Sequence, residues 1–228
     1  MIRQKNWNSI QEIFQELNKH CNYVILRNYE ELHLEHMVME EHDDIDLLCD
    51  DQRYMRELLG AVYRPVTGNF DHFFTKIAGK DVKFGIRYIG DDYYDRKWEQ
   101  EMLSNRILHP NGFYVMNDTD YFYSLLYHAL IQKKELSEDY RIRLAEMGKK
   151  SGIELNTPED YRTCLETYMT SKGYCLCYPK DTTIPLQTNV LNEVPVTGYT
   201  EWKARKRKRI VIRGLRFIRK RIRRNKNG

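Results

Sequence analysis

A chain of 228 residues, 41% of them hydrophobic and 17 of them tyrosine, has enough apolar and aromatic mass for a packed body and is not read as disordered. Its formal net charge of +4 conceals two opposite parts. Of 37 Lys and Arg, 14 lie within residues 203–228 beside no acid, which leaves 23 against 33 acids elsewhere, a formal −10. No run reaches the roughly 20 apolar residues that cross a bilayer. Five cysteines in no regular framework, with no signal peptide, point to a reduced intracellular compartment.

Taken in chain order, Trp7, Ile10, Phe14 and Leu17 recur at helical spacing and predict an amphipathic helix over Trp7–Lys19. Tyr23 to Leu26, β-branched and aromatic, predict a buried strand. A polar loop with His and Met follows, then HDDIDLLCDD at 42–51, whose alternation predicts a second strand. A helix is expected over Asp51–Leu59, and FFTKIA and DVKFGIRYI, joined at Gly79-Lys80, predict a hairpin. Asp95 is placed to cap a helix ending near Asn105. Asp118 or Thr119 is placed to cap another, DYFYSLLYHALIQKK, apolar on nearly every side and so expected to be buried. Thr157-Pro158-Glu159-Asp160 marks a further helix start, and Gly173 its end. Pro179, Pro185 and Pro195 argue against a regular central strand in 174–200. The pattern predicts an α/β (α+β) fold: a core over 1–117, a helical extension over 118–172, an extended segment over 173–202 and a basic tail over 203–228.

Residues with chemical potential concentrate in the second strand. Asp44 and Asp46 share one face, about 7 Å apart at a rise of roughly 3.3 Å per residue, while Ile45, Leu47 and Cys49 take the other. Two like charges so close repel unless a cation sits between them, and a divalent metal is the obvious one. The plainer reading is a solvated strand edge. In DVKFGIRYI, Val82, Phe84 and Ile86 form an apolar face, and Asp81, Lys83, Gly85 and Arg87 share the other. Asp43 reads as a loop acid or a support to the pair. Asp91, Asp92 and Asp95 stand where capping is the default role. His128 lies on an apolar helix as a satisfied core histidine, with a catalytic base as the other option. Lys133 and Lys134 can complement their helix dipole or meet phosphate. Cys175 and Cys177 lack a second pair at zinc-like spacing.

An opening helix, a strand, a loop and a strand bearing D-x-D resemble the nucleotidyltransferase fold. Three stretches, VILRNYEEL at 24–32, DDIDLLCDD at 43–51 and RYIGDDYYDRKWEQEML at 87–103, look like a branch found in polysaccharide gene sets. That branch is distantly similar to the LicD and fukutin phosphotransferases. FYSLLYHALIQKK at 122–134 fits it too, so the similarity covers roughly residues 20–145. The resemblance implies a mixed sheet flanked by helices, and metal-dependent transfer of a nucleotidyl or phospho group in glycan assembly. It implies Mg²⁺ or Mn²⁺ held by Asp44, Asp46 and a third acid, for which Asp81 is the candidate. It also implies phosphate binding by Arg27, Lys83 and Arg87, a nucleotide-activated donor and a saccharide or sugar-phosphate acceptor. The chain departs from the pattern twice. Arg27-Asn28 stands where a Gly-Ser pair usually cradles phosphates, and Gly85 stands where a third acid is expected. A catalytically degenerate fold that binds beside a glycosyltransferase is the alternative those departures favour.

In the tail, Val211, Leu215, Ile218 and Ile222 form one helical stripe within a basic surround. Such a helix suits an anionic membrane interface, with a cytoplasmic protein held peripherally at the membrane. A solvated basic tail and nucleic-acid binding are the other readings.

Overall fold

The structure, a computed structural model, describes residues 2–32, 44–65 and 71–211. It is a mixed α/β protein whose elements run β1 (Asn6–Trp7), α1 (Ile10–His20), β2 (Tyr23–Ile25), a 3-10 turn (Tyr29–Glu31), β3 (Asp44–Cys49), α2 (Gln52–Leu59), β4 (Val62–Pro65), β5 (Asp71–Ile77) and β6 (Lys80–Tyr88). There follow α3 (Arg96–Ser104), β7 (Ile107–Leu108), β8 (Tyr114–Val115), α4 (Asp118–Ile131), α5 (Glu138–Lys150), α6 (Pro158–Lys172), β9 (Leu176–Cys177) and β10 (Val196–Thr197). Residues 199–211 are helical.

Among the described residues the main sheet runs β1-β5-β6-β3-β2-β8-β7, with β4 beside β5. β3 lies in its interior, parallel to β6 and antiparallel to β2. The solvated-edge reading of the acidic strand is therefore set aside by topology: β3 has a hydrogen-bonded neighbour on each side.

The alternation of β3 divides the core. Ile45, Leu47 and Cys49 join Tyr23, Ile25, Phe84 and Ile86 on one face, covered by Ile13, Phe14 and Leu17 of α1 and by Met55 and Leu59 of α2. Val24, Leu26 and Leu48 face the other way and pack with Trp98 and Met102 of α3, Leu125 and Leu126 of α4, and Leu165 and Met169 of α6. Each fully buried side chain of this size contributes about 1.5–3 kcal/mol. The odd-even rule that sends Leu48 to the second face sends Asp44 and Asp46 there as well, on the side where α3 and α4 pack.

Local signals account for most boundaries. Ser9 caps α1 by accepting the Glu12 N–H, so the helix starts at Ile10 and not at Trp7. Trp7 instead pairs with Ile77 in the sheet and donates its indole N–H to the Leu59 carbonyl at 3.1 Å. Asp95 caps α3 as expected, while Asp51, expected inside its helix, stands just before α2 as its cap. The cap of α4 is Asn117, one residue before the two candidates, and that helix ends at Ile131, short of the lysines. Thr157 and Asp160 complete a reciprocal capping box on α6, and Gly173 closes it at φ 68°, a conformation glycine adopts without steric cost. The hairpin of β5 and β6 forms as expected. α5 and β4 have no counterpart in the sequence expectations. Within α5 only Leu144 and Gly148 are buried, too few to write a stripe.

All five cysteines are unpaired thiols. Among the described residues no helix is long and apolar enough to cross a membrane. Asp43, the loop with His and Met over 33–43, and Leu215, Ile218 and Ile222 of the expected stripe lie outside the described residues.

Candidate active site

The site is built where β2, β3 and β6 present one face to the helices. Parallel pairing sets Asp44 opposite Lys83, Asp46 opposite Gly85, and Leu48 opposite Arg87. Asp44 and Asp46 are half-buried, their side chains 28% and 22% exposed. The Lys83 ammonium lies 3.7 Å from the Asp44 carboxylate.

Arg27 follows β2 at a bend, where Asn28 turns the chain through a left-handed conformation at φ 58°. Its guanidinium is only 11% exposed and donates from Nη2 to Asp46 Oδ2. Nη1 donates to the Tyr93 hydroxyl at 2.9 Å. Burial disfavours the charge, but Asp46 and then Tyr93 outweigh it, and the guanidinium is held above its ordinary pKa. The Arg27–Asp46 pair is the electrostatic centre of the site.

Gly85 explains how this pair fits. A Cβ at position 85 would stand 2.2 Å from Asp46 Oδ1, well inside any tolerated contact. The missing acid of β6 and the arginine after β2 are thus one arrangement: the carboxylate of Asp46 occupies the room that a side chain at 85 would fill, and Arg27 holds it there.

Beneath Arg27 lies a buried polar chain that sequence reasoning did not assemble. Tyr93 Oη and Arg27 Nη1 each approach His128 Nδ1 at 3.2 Å, and Gln132 Oε1 approaches it at 2.9 Å. The Gln132 amide is oriented by its Nε2 donation to the Tyr93 carbonyl, so its oxygen faces the ring. Burial, with Arg27 second, keeps His128 neutral far below the usual histidine range. The satisfied core histidine is the reading that this geometry supports.

Arg87 packs its guanidinium 4.4 Å from the Tyr93 ring centre and lies 3.9 Å from Asp91 and 3.6 Å from Asp181. Lys133, just beyond α4, feels Asp44 and Asp46 as well as Arg27; burial first and Arg27 second push its ammonium down. Asp81 sits four residues along β6 from Gly85, roughly 13 Å at strand rise, and meets Lys76 and Gln4 at 3.3 Å. The structure therefore brings Asp44, Asp46, Lys83 and Arg27 together, sets Arg87 at their margin, and holds Asp81 away from Asp46. Arg27, Lys83 and Arg87 each face a carboxylate.

The turn beyond β6 supports this margin. Asp91 accepts the Tyr93 N–H, and Glu99, fully buried on α3, accepts from Gly90 N–H at 2.6 Å and Tyr94 N–H at 3.2 Å. Burial, with Asp91 second, raises Glu99 from 4.5 to about 8, and burial raises Asp91 as well. Between pH 4.5 and 8 the folded chain keeps a Glu99 proton that the unfolded chain has lost, so stability falls as pH rises through that window. His128 has the opposite sign: below its ordinary 6.5 the unfolded chain gains a proton that the folded chain refuses. The two oppose each other in acid, and above pH 6.5, where the unfolded histidine gives up its remaining proton, Glu99 outweighs it. The wild type should lose about 1 kcal/mol between pH 6.5 and 8, and Glu99→Gln should flatten or reverse that slope. Urea unfolding at four pH values checks it; parallel pH profiles for the two proteins would refute the assignment.

As for a metal, Asp44 and Asp46 offer hard oxygens on one face. Mg²⁺ commonly takes one or two carboxylates and fills its shell with water and substrate phosphate. The pair fits that habit. Among the described residues no group of three His, Cys, Asp or Glu forms a metal cluster.

No protein-family description matches the chain, and no curated protein matches its sequence. Two solved structures are similar to it. The antibiotic-resistance factor ANT(2'')-Ia is 13% identical with a TM-score of 0.39, over 72% of this chain and 91% of that one. An antigenic nucleotidyltransferase-like protein from Paracoccidioides brasiliensis is 11% identical with a TM-score of 0.41, over 72% and 87%.

Proposed function

We propose that the protein is a nucleotidyltransferase-fold enzyme that transfers a nucleotidyl or phospho group to a saccharide or sugar phosphate during glycan assembly, peripherally at a membrane. The observation that carries this reading is the pair Asp44 and Asp46 on an interior strand, half-buried on the face that meets the helices, with Lys83 and Arg27 beside them. Asp44 and Asp46 would hold Mg²⁺ or Mn²⁺, and a bound ion would neutralise phosphate charge at the reacting phosphorus. Lys83 and, at the margin, Arg87 bind donor phosphate oxygens. Arg27 orients Asp46. The acceptor hydroxyl oxygen forms the new P–O bond while the bond to the leaving phosphate breaks, and its proton passes to solvent. Asp81 has no part in this scheme, because its place on β6 sets it beside Lys76 and Gln4.

A specific observation favours a second reading. Arg27 already supplies Asp46 with a cation, which suits a metal-free binding module beside a glycosyltransferase. Calorimetry decides between them. A panel of nucleoside triphosphates and nucleotide sugars is titrated into wild type and Asp44→Asn/Asp46→Asn, with and without Mg²⁺ or Mn²⁺. Under the enzyme reading one donor binds only with metal, and the double variant loses about 100-fold in affinity, two charge-assisted contacts at about 1.5 kcal/mol each. Binding that ignores metal assigns the module, and no binding by the wild type removes the donor site altogether.

A further inference from the structure

The helical residues 199–211 present two faces. One face is spent on the body: Trp202, Arg205 and Arg209, at i, i+3 and i+7, are half-buried. The Trp202 ring centre lies 5.2 Å from that of Tyr178, and Arg209 donates to Thr182 Oγ1 at 3.3 Å and lies 3.9 Å from Asp181. The Tyr199 ring also turns to the body, 5.2 Å from that of Tyr178. At 100° per residue the other side gathers Ile210, Lys203, Arg207 and Val211 within about 100°. All four are exposed, Ile210 and Val211 at 63% and 60%. Two aliphatics at the surface beside cations are a cost in water. They match a medium that is anionic outside and apolar beneath, where lysine and arginine stems lie along apolar surface and their charges reach out. A nucleic-acid backbone would reward the cations and leave Ile210 and Val211 unused.

We infer that this outward face binds an anionic bilayer, with the inner face remaining on the body. The inference deepens the transfer reading, on which its significance rests. Asp181, which Arg209 contacts, also lies 3.6 Å from Arg87 at the margin of the candidate active site. A helix seated on lipid therefore holds that margin near the membrane surface, where a lipid-linked acceptor would present its saccharide.

The test is sedimentation of the full chain with vesicles of phosphatidylcholine, alone or with about one-third phosphatidylserine. Wild type should bind the anionic vesicles and ignore the neutral ones. Lys203→Glu/Arg207→Glu should weaken partitioning on the order of 30-fold or more, at the worth of a basic residue near such a surface. Ile210→Ser/Val211→Ser should weaken it on the order of 10-fold at unchanged charge. Lys149→Glu/Lys150→Glu, exposed cations at the end of α5, should bind as wild type. Wild type that ignores anionic vesicles overturns the inference, as does an aliphatic variant that binds undiminished. Salt-steep binding of RNA without vesicle binding assigns the helix to nucleic acid and overturns it too. Donor calorimetry on Lys203→Glu/Arg207→Glu should match wild type, so the lipid face and the transfer site fail separately.

Discussion

Gly85→Ala should unfold about 5 °C below the wild type and, under the proposed transfer function, lose affinity for the nucleotide donor. Alanine gains about 0.5–1 kcal/mol over glycine in a strand, so propensity alone predicts a slightly more stable protein. The site predicts the reverse. The new Cβ stands 2.2 Å from Asp46 Oδ1, and the atom in its way belongs to a carboxylate held on its far side by Arg27. Asp46 must rotate out, the ion pair with Arg27 opens, and overpacking of this kind costs about 1–3 kcal/mol. A net loss near 2 kcal/mol corresponds to about 5 °C for a chain of this size. Differential scanning calorimetry reads the shift and titration calorimetry the donor. Gly85→Ala with an unchanged Tm would mean that Asp46 does not lie over β6 as described. Gly85→Asp, which writes in the acid that the nucleotidyltransferase pattern expects, should be worse, because a second carboxylate joins the first in the same space.

That result bears on what could be read in advance. The alternation in DDIDLLC is enough to put Asp44 and Asp46 on one face and to make the other face core, because strand geometry is local and has a period of two. The caps at Asp95 and Thr157 and the hairpin at Gly79-Lys80 are legible for the same reason: each is decided by a few adjacent residues. The role of Gly85 is not local. It needs the register that sets residue 85 beside residue 46, and that register is fixed by apolar faces packing against α1 and α2. A glycine in the middle of a strand with polar neighbours was a visible signal of close approach, but the sequence does not say what approaches.

The same distinction separates Arg27 and His128 from their partners. Arg27 stands 19 residues from Asp46 and 101 from His128, and only the fold brings the three together. Asp81 shows the converse. Shared parity with Lys83 and Gly85 places it on the same face, and parity says nothing of position along the strand. Only when β3 is laid beside β6 does it stand two residues from the partner of Asp44 and four from the partner of Asp46. α5 buries only Leu144 and Gly148, and so writes no apolar stripe into its sequence.

The Arg27–Asp46 pair should show asymmetric energetics, and this is the sharpest test of the site. Asp46→Ala leaves a guanidinium only 11% exposed with a phenol and a neutral imidazole for company. Removing one partner of a buried pair costs about 3–5 kcal/mol because the other charge is stranded. Arg27→Met strands Asp46 instead, but at 22% exposure water can reach that carboxylate, and the cost should be about 1–3 kcal/mol. The double variant strands neither charge and should cost less than the sum of the two, with a coupling of about 1.5–3 kcal/mol in urea unfolding. Strict additivity would show that the two side chains do not depend on each other, and the reading of Asp46 as an anchored carboxylate would fall. The cycle repeated in donor and Mg²⁺ separates stability from binding. A ligand that uses Asp46 stabilises the wild type by about 2.7 kcal/mol at 100 times its Kd. It should stabilise Asp46→Ala by only about half as much, one contact of about 1.5 kcal/mol being lost, and Arg27→Met by nearly the full amount if the arginine orients the carboxylate without touching the donor.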